Sequence, residues 1–331
     1  MMRGVWSRRR ALAAMGGVVA SPMIASGVAR ANSDWPTKSV RYINLFPAGG
    51  TTDVLSRIVC QELSELTGQQ FVVENRGGSG GNVGADAIAK SAPDGYTVGL
   101  YSIASHAIAP TLYARLPFDA DKDFAAIGML WSVPNILVTK LALPVNTVPE
   151  LVALVKASPG KYFFGSGGSG TSPHLCGEML KQRAGLEMSH VPYRGGAPAM
   201  QDMLAGLLDL MYDNISTPLA QYKAGKVRAL AVTSLERHPS APELPTMTEF
   251  YPGFHITSWG GLCGPAGLPP AMVEKAAALT KKALESENLK KAFLQQAATT
   301  MWMSPADTAS FRRKQEQDLA PIIKASGAKV D

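Results

Sequence analysis

The sequence predicts an α/β protein of two lobes that close like a clamshell, each lobe a mainly parallel sheet flanked by helices. Strand-like and helix-like segments alternate over residues 40–102 and again over residues 147–234. Such alternation is typical of parallel sheets with right-handed crossovers. Two apolar segments, 124–140 and 256–265, follow these runs and are candidates for the connections between the lobes. A chain of 331 residues is long enough for two domains.

The first run predicts a β-α-β-α-β unit. VRYINLF at 40–46 and QFVVEN at 70–75 are strand-like, and DVLSRIVCQELSEL between them has apolar residues at helical spacing up to Gly68. A glycine loop leads into the helix-like VGADAIAKSA. The turn Pro93-Asp94-Gly95 then precedes a third strand, TVGLYS at 97–102.

The second run continues the alternation. TVPELVALVKA predicts a helix, KYFFGS a strand, and SPHLCGEMLKQRAG a helix that ends at Gly185. MSHVPY, APAMQDMLAG, DLMYDN, TPLAQYKAG and RALAVTS extend the pattern to residue 234. The helix-like segments 269–286 and 305–326 have no strands of their own, so they are expected to pack back onto the first sheet.

The two crossing segments set the predicted domain boundaries. FAAIGMLWSVPNILVTK predicts two strand-like pieces around Pro134, and ITSWGGLCGP forms the second crossing. The predicted lobes are residues 32–133 together with 257–331, and residues 134–256.

Residues 1–31 have the pattern of a cleaved export signal. A positive cluster at Ser7-Arg8-Arg9-Arg10 precedes a mildly apolar stretch, and Ala29-Arg30-Ala31 is a small-x-small cleavage site before Asn32. The stretch is too short and too broken by Gly, Ser and Pro to span a membrane. The arginines are twin-arginine-like, although Ala11 departs from that signal, and the Sec route stays open. The mature protein is therefore expected in the periplasm.

Charge and cysteine content exclude several classes of function. The chain has 32 basic and 26 acidic residues, but five arginines lie in residues 1–31, so the mature protein is almost neutral and has no basic stripe. Nucleic-acid binding is therefore not expected. No C-x-x-C and no metal-ligand spacing occurs, so neither a metal nor a cofactor is predicted. Cys60, Cys176 and Cys263 are expected to be buried and unpaired, with a Cys60–Cys263 bridge as the alternative.

Three strand-to-helix turns are rich in glycine: FPAGGTTD at 46–53, NRGGSGGNVG at 75–84 and GSGGSGTSPH at 165–174. Glycine lets a turn adopt positive φ and point successive N–H groups into one concavity. Where such a turn opens a helix, the first-turn donors and the helix dipole favour an anion. Two of these turns facing each other across a cleft would form an anion site.

The same turns match two enzyme motifs. Residues 165–170 satisfy the dinucleotide fingerprint G-x-G-x-x-G, but the next strand ends without an acid for a ribose. GGSGG around Ser79 spells the G-x-S-x-G of α/β-hydrolases, with Asp213 and either His238 or His255 available as later triad members. A secreted α/β serine esterase using Ser79 is therefore the alternative function, and a dinucleotide enzyme is not expected.

The histidines differ in their expected roles. His106 follows the TVGLYS strand at a carboxyl-terminal edge, where α/β sheets bind ligands. His174 lies in the first turn of a helix, where it could cap, pack or touch a ligand. His190 is expected to be buried within a strand, and His238 and His255 to lie in loops or at the surface.

Nine segments of the mature chain, in this order, match motifs of a known family: FPAGGTTD, FVVENRGGSGGNVGAD, SAPDGYTV, LPFDADKDF, GSGGSGTSPHL, HVPYRGGAPAMQDMLAG, AGKVRALAVTS, ELPTMTEF and WGGLCGPAGLPP. Together they resemble the extracytoplasmic solute receptors of tripartite tricarboxylate transporters, the Bug-type family. The chain departs from that family at Ala48 and Gly77, where proline is usual, and at Asn44, where an apolar residue is usual. Because Asn44 and Leu45 flank the first cleft loop, an altered ligand preference is expected.

The resemblance implies a type II periplasmic-binding-protein fold that closes around a carboxylate-bearing solute like a Venus flytrap. Such a receptor would be a monomer without enzymatic activity. It would deliver a di- or tricarboxylate, an acidic amino acid or an aromatic acid to membrane transporter subunits. Asp53 is expected to cap a helix or hold water. The candidate ligand-binding residues are Phe46, Ala48, Gly49, Gly50, Thr51, Asp53, His106, Ser166, Gly167, Gly168, Ser169, Gly170, Thr171, His174 and Asp213.

Overall fold

Strands and helices alternate through the part of the chain that the structure, a computed structural model, describes: Met1 and residues 35–330. The predicted signal peptide, apart from Met1, and its cleavage site lie outside the described residues. The strands are β1 (Val40–Asn44), β2 (Phe71–Asn75), β3 (Thr97–Ser102), β4 (Phe124–Thr139), β5 (Tyr162–Ser166), β6 (Met188–Pro192), β7 (Leu210–Asn214), β8 (Arg228–Val232), β9 (Thr257–Pro265) and β10 (Thr299–Thr300).

The helices fall mostly between successive strands. They are α1 (Thr51–Thr67), α2 (Asn82–Ala89), α3 (Ala109–Leu112), α4 (Val148–Lys156), α5 (Ser172–Ala184), α6 (Gly196–Leu204), α7 (Ser216–Lys223), α8 (Pro270–Glu285), α9 (Glu287–Gln295) and α10 (Pro305–Ser326). A 3₁₀ turn at Ser79–Gly81 leads into α2, and a π-helical turn at Ala104–Ile108 leads into α3. Among the described residues, no helix is both long and apolar enough to cross a bilayer.

The strands form a sheet in the order β2-β1-β3-β9-β4-β7-β5-β6, with β8 and β10 also paired to β4. β1 is parallel to β2 and β3, and β5 is parallel to β6 and β7. β9 is antiparallel to β3 and β4, and β4 is antiparallel to β7, β8 and β10. Two parallel units are thus joined by antiparallel crossing strands, which confirms the predicted two-lobed α/β clamshell. The first lobe is built on β1–β3 and the second on β5–β7.

The first crossing is one strand of 16 residues rather than the two pieces predicted around Pro134. Residues of β4 up to Pro134 pair with β9, and residues from Asn135 onward pair with β7. Proline has no N–H to donate to a ladder. It is accommodated here because the strand changes partner at this position while the backbone continues in the same direction.

The carboxyl-terminal helices pack mainly on the first lobe. α8 contacts β4 and α1, whereas α10 contacts β4, the π-helical turn and also α5 of the second lobe. α9 follows α8 without a strand between them and was not predicted. Ser286 starts it by accepting the N–H of Leu289 with its side chain.

Candidate functional site

A cavity of about 50 Å³ lies where the carboxyl ends of the parallel strands of both lobes meet. Open α/β sheets bind ligands at this edge. Its volume accommodates a few water-sized groups, as expected for a small solute. The lining residues are Phe46, Pro47, Gly50, Thr51, Thr52, Ser102, Ile103, Ala104, Gly167, Thr171, Ser172, Pro173, Gly195, Gly196, Ala197, Pro198, Asp213, Asn214 and Ser258.

The first loop, residues 46–53, connects β1 to α1. Gly49 has a φ of +82°, and its N–H donates to Asp53 Oδ2 over 3.0 Å. Asp53 Oδ1 accepts from Asn75 Nδ2 at 2.8 Å and pairs with Arg57 at 3.0 Å. Burial alone would raise the pKa of Asp53, but its hydrogen bonds outweigh burial and hold that pKa below the usual range. An ionised carboxylate therefore braces this loop from behind.

The second loop, residues 166–174, connects β5 to α5. Thr171 caps the helix, since its side chain accepts the N–H of His174, and its own hydroxyl donates to the Gly168 carbonyl over 2.7 Å. Gly168 has a φ of +130°, and a Cβ there would lie 2.9 Å from the Tyr193 carbonyl oxygen. This conformation and this close approach both require glycine.

A pair of histidines braces the second loop. The N–H of Gly170 donates to His174 Nδ1 over 3.2 Å, and His190 Nε2 hydrogen-bonds Ser166 Oγ at 2.7 Å. The two imidazole rings lie 4.2 Å apart. Burial, and then the charge of Lys181, lowers the pKa of His174 to about 4. Near neutral pH, His174 is therefore an uncharged acceptor.

The third loop, residues 193–198, connects β6 to α6. Gly195 has a φ of +119°, and its N–H donates to the Gly167 carbonyl over 3.0 Å, which ties the third loop to the second. Gly196 lies against the Asp213 carboxyl, and a Cβ at Gly196 would collide with it. Asp213 is 6% exposed, and burial raises its pKa to about 7 although the Asn214 N–H acts in the opposite direction.

Three helices begin at this cavity: α1 at Thr51, α5 at Ser172 and α6 at Gly196. The first N–H groups of a helix lack intrahelical partners and carry partial positive charge. The lining residues include no lysine or arginine. Among the described residues, the buried atoms Thr51 Oγ1 and Asp213 Oδ2 have no hydrogen-bond partner. The cavity can therefore hold an anionic group through helix N-termini and polar side chains.

A smaller cavity of about 30 Å³ adjoins the first. The two cavities share Phe46, Pro47 and Gly167, and the glycine turn at 78–81 also lines the smaller one. Arg194 also lines the smaller cavity, is exposed, and makes no hydrogen bond or ion pair with the described residues. The smaller cavity thus brings a cation close to the first.

The lobes touch beside these cavities. Tyr113 Oη of the first lobe donates to the Ser169 carbonyl of the second over 3.2 Å. A Cβ at Gly80 would collide with the same carbonyl, so the glycine turn before α2 approaches the second lobe without a side chain between them. The glycine turns of both lobes therefore enclose one space.

Comparison with known proteins identifies the family of this chain. The family model described as "Tripartite tricarboxylate transporter family receptor" matches residues 55–328. The chain belongs to this family. The predicted family resemblance is therefore confirmed.

Three similar proteins show which kind of receptor within this family the chain resembles. BugT of Bordetella pertussis is 34% identical over 323 residues, covering 97% of this chain and 98% of BugT. The solved periplasmic binding protein BugD is 34% identical, with a TM-score of 0.86 over 89% of this chain and 99% of BugD. The solved R. palustris protein Rpa4515 with adipate is 32% identical, with a TM-score of 0.87 over 89% of this chain and 100% of that one. This chain is a solute-binding receptor of the Bug type, as predicted.

The predicted ligand-binding residues of this Bug-type receptor fall into two groups. Those that line the larger cavity are Phe46, Gly50, Thr51, Gly167, Thr171 and Asp213. Those that do not line it are Ala48, Gly49, Asp53, His106, Ser166, Gly168, Ser169, Gly170 and His174. Most of the second group belong to the same two loops, and several of them brace the backbone. Solute contact stays a prediction for both groups.

His106 lies behind the cavity wall. It is fully buried in the π-helical turn, its Nδ1 accepts the Ser102 N–H over 3.1 Å, and its ring packs against Tyr101 and Phe124. Burial lowers its pKa to about 3. These contacts support the local fold.

The third loop is the part of the site that sequence reasoning did not single out. Gly195-Gly196 lies between a strand and a helix, which is the signal that marked the other glycine turns. The polar residues Ser102, Asn214 and Ser258 also line the cavity. They come from three different strands, and no local motif links them.

The esterase alternative has no support in this site. Ser79 lies in the glycine turn that lines the smaller cavity. His238 Nδ1 accepts the N–H of Ser240 instead, and His255 is exposed. Asp213 lies in the wall of the larger cavity, which Ser79 does not line.

The three cysteines are free and buried. The Cys60–Cys263 bridge considered from the sequence is therefore not formed in this structure. Burial raises the pKa of each thiol well above its ordinary value, so all three stay protonated at neutral pH.

Proposed function

We propose that this receptor captures a small carboxylate-bearing solute between its lobes and delivers it to the membrane subunits of a tripartite transporter. The observation that supports the cargo class is the meeting of three helix N-termini at one cavity that no lysine or arginine lines. A helix N-terminus stabilises a nearby anion by roughly 0.3–1 kcal/mol, or up to about 2 when partly buried. With charge-assisted hydrogen bonds at roughly 1.5–3 kcal/mol each, micromolar affinity is within reach.

The proposed cargo has a second acidic group. One carboxylate would lie in the larger cavity, and the other would extend past Phe46 and Pro47 toward Arg194 in the smaller one. An exposed arginine that pairs with none of the described residues is suited to bind a carboxylate. The similar structure of Rpa4515 with adipate supports a dicarboxylate as the cargo.

The loops would act through different groups. Backbone N–H groups at Gly50, Thr51 and Gly167 are proposed to face the cargo, together with the Thr51 and Thr171 hydroxyls. Asp53 and His174 would hold the loops in shape from behind, because each accepts a loop N–H. The predicted ligand contacts of the remaining loop residues would then be indirect.

The receptor is proposed to work as a monomer in the periplasm after removal of residues 1–31, and to have no enzymatic activity. The arginine cluster and the Ala29-Arg30-Ala31 site support export. Similarity to the periplasmic protein BugD supports the compartment. Mass spectrometry of the exported protein would detect a mature N-terminus near Asn32, whereas a full-length cytoplasmic protein would contradict this proposal.

Closure is proposed to occur about the two crossing strands, between lobes at 32–133 with 257–331 and at 134–256. β4 exchanges β9 for β7 after Pro134, and its pairing with β9 ends at Thr257. Hinges form where few residues absorb the change in backbone angles. Solution scattering should become more compact with cargo, and identical profiles at saturation would contradict a hinge.

Thermal unfolding with a panel of acids tests the proposed cargo. The panel contains succinate, malate, adipate, glutamate and benzoate, each beside its fully amidated counterpart. A ligand that binds only the folded state raises the unfolding temperature, and we expect this of at least one acid and none of the amides. Equal stabilisation by an acid and its amide, or by none of the panel, would contradict the proposal. Hydrolysis of a generic ester that Ser79→Ala abolishes would favour the esterase instead.

A further inference from the structure

Asp213 is an acid in a site built for anions. It lies near the carboxyl end of β7 opposite Ile136 of β4, and its carboxyl faces the start of α6 at Gly196. The residue is only 6% exposed, and its Oδ2 has no hydrogen-bond partner among the described residues. The same residue lines the larger cavity. A carboxyl with an unpaired oxygen thus lies in the wall of the cavity that the proposed cargo would fill.

No cation offsets this carboxyl within the cavity wall. The polar residues that line the cavity with it are uncharged, among them Thr51 on α1, Ser172 on α5 and Asn214 on its own strand. Behind the first loop, Asp53 is already paired with Arg57.

The other titratable groups near the loops do not act on Asp213 either. His174 on α5 and His190 on β6 are uncharged near neutral pH, because burial lowers the pKa of each. Glu178 pairs with Lys181. The raised pKa of Asp213, about 7, reflects burial, opposed only by the Asn214 N–H. Near neutral pH, Asp213 therefore populates its protonated and its ionised form to similar extents.

Two ionised carboxylates that share one buried site repel each other, and one of them binds a proton in response. We propose that Asp213 binds the cargo as the neutral acid, so that capture of a carboxylate is coupled to uptake of one proton from solvent. The proton resides on the Asp213 carboxyl, which donates to a carboxylate oxygen of the cargo. No other bond forms or breaks. This inference rests on the proposed carboxylate-binding function.

The coupling gives the affinity a definite pH dependence. At about pH 6, free Asp213 already holds the proton, so the coupling no longer changes the affinity. Above about pH 7, each unit of pH weakens binding about tenfold, because the proton must be taken from a more dilute solution. The panel carboxylates stay ionised from about pH 6.5 to 8.5, so the change in this range reports on the protein.

Isothermal titration calorimetry with the tightest-binding acid of the panel tests the proposal. For the wild-type protein we expect about tenfold weaker binding at about pH 8.5 than at about pH 7.5. At about pH 8 we expect uptake of about one proton, measured as the dependence of heat on buffer ionisation enthalpy. Asp213→Asn donates a hydrogen bond without a titratable proton, so its affinity should change less than about twofold over the same range. Asp318→Asn, an exposed acid on α10, should keep the wild-type pH dependence.

The outcomes separate this inference from the proposed function. If an acid binds with affinity that is independent of pH and without proton uptake, the coupling is wrong and the receptor assignment stands. If Asp213→Asn abolishes binding of glutamate while wild-type protein takes up no proton, Asp213 is an ionised acceptor for an amino group, and the proposal is overturned. If no acid binds at any pH, the proposed function itself fails. The proton count uses wild-type protein, so it decides the matter even if Asp213→Asn does not fold.

Discussion

The first and second loops both satisfy a glycine N–H with a side chain, but the accepting groups differ. In each, a glycine N–H donates to the side chain four residues later, from Gly49 to Asp53 and from Gly170 to His174. The brace is an ionised carboxylate paired with Arg57 in the first loop and an uncharged imidazole in the second. In these two loops, the acceptor at this position therefore need not be charged. The two loops should consequently respond differently to substitution and to acid.

The largest difference is expected from valine in place of one glycine in each loop. Gly168→Val places a β-branched residue at a φ of +130° and against the Tyr193 carbonyl oxygen. It should abolish acid binding and lower the free energy of unfolding by roughly 1–3 kcal/mol. Gly50 has a φ of −85°, and a Cβ there lies no closer than 3.9 Å to the atoms around it.

Gly50→Val is thus the matched variant that separates binding from folding. It should weaken binding at least about tenfold, because Gly50 lines the cavity, while lowering the free energy of unfolding by only about 0.5–1 kcal/mol, since valine is a poorer N-cap than glycine. Calorimetric titration and urea denaturation measure the two quantities. Full binding by Gly168→Val would show that the second loop does not contact cargo.

The next largest expected difference is how the stability contribution of each brace changes at low pH. The folded-state pKa of His174, about 4, lies below that of an unfolded histidine, about 6.5. Its contribution to stability is therefore complete above about pH 6.5 and is lost as the pH falls toward about 4. His174→Asn retains an acceptor near the position of Nδ1 but does not titrate. Between about pH 7 and pH 5, the wild type should lose roughly 1–2 kcal/mol of unfolding free energy relative to this variant.

Asp53→Asn provides the contrast from the first loop. Because the pKa of Asp53 is lowered, its contribution is present above an unfolded pKa of about 3.9 and is lost only as the pH falls through the lower folded value. The variant should be less stable than the wild type by a similar amount at about pH 7 and at about pH 5. Urea denaturation at both values measures this, and a His174→Asn difference that does not vary with pH would refute the distinction between the braces.

Sequence reasoning located these two loops but not the way in which they are supported. Glycine spacing between a strand and a helix is a local pattern that located the two turns. The family resemblance then named residues within them, of which Gly50, Thr51, Gly167 and Thr171 lie on the cavity wall. The roles of His174 and His106 depend on what the fold places around them. His106, for instance, lies in the π-helical turn and packs against Phe124 of β4.

Features that depend on distant parts of the chain were also missed among the strands and helices. The β-α alternation predicted both parallel units, since hydrophobic periodicity is local. The continuity of β4 through Pro134 depends on partners that lie far away in sequence, Asn214 and Thr257. A proline between two apolar runs gives no indication of such an exchange.

The smallest expected effect concerns the adjoining cavity. Arg194→Gln should weaken binding of a dicarboxylate about two- to fivefold, which corresponds to an exposed ion pair of roughly 0.2–1 kcal/mol. A monocarboxylate of the same chain length should bind equally to the variant and the wild type. Arg237→Gln, at a residue that pairs with Glu249 and lines neither cavity, serves as the control. Equal weakening of both ligands would mean that Arg194 does not recognise the second acidic group.

A crystal structure of the receptor with its tightest-binding acid tests the central claim most directly. The account predicts one carboxylate in the larger cavity, with its oxygens about 3 Å from backbone N–H groups at the starts of α1 and α5. No lysine or arginine should contact that carboxylate, and Asp213 should lie within hydrogen-bond distance of it. A carboxylate bound only by Arg194 or by other basic side chains, away from the three helix N-termini, would contradict the account.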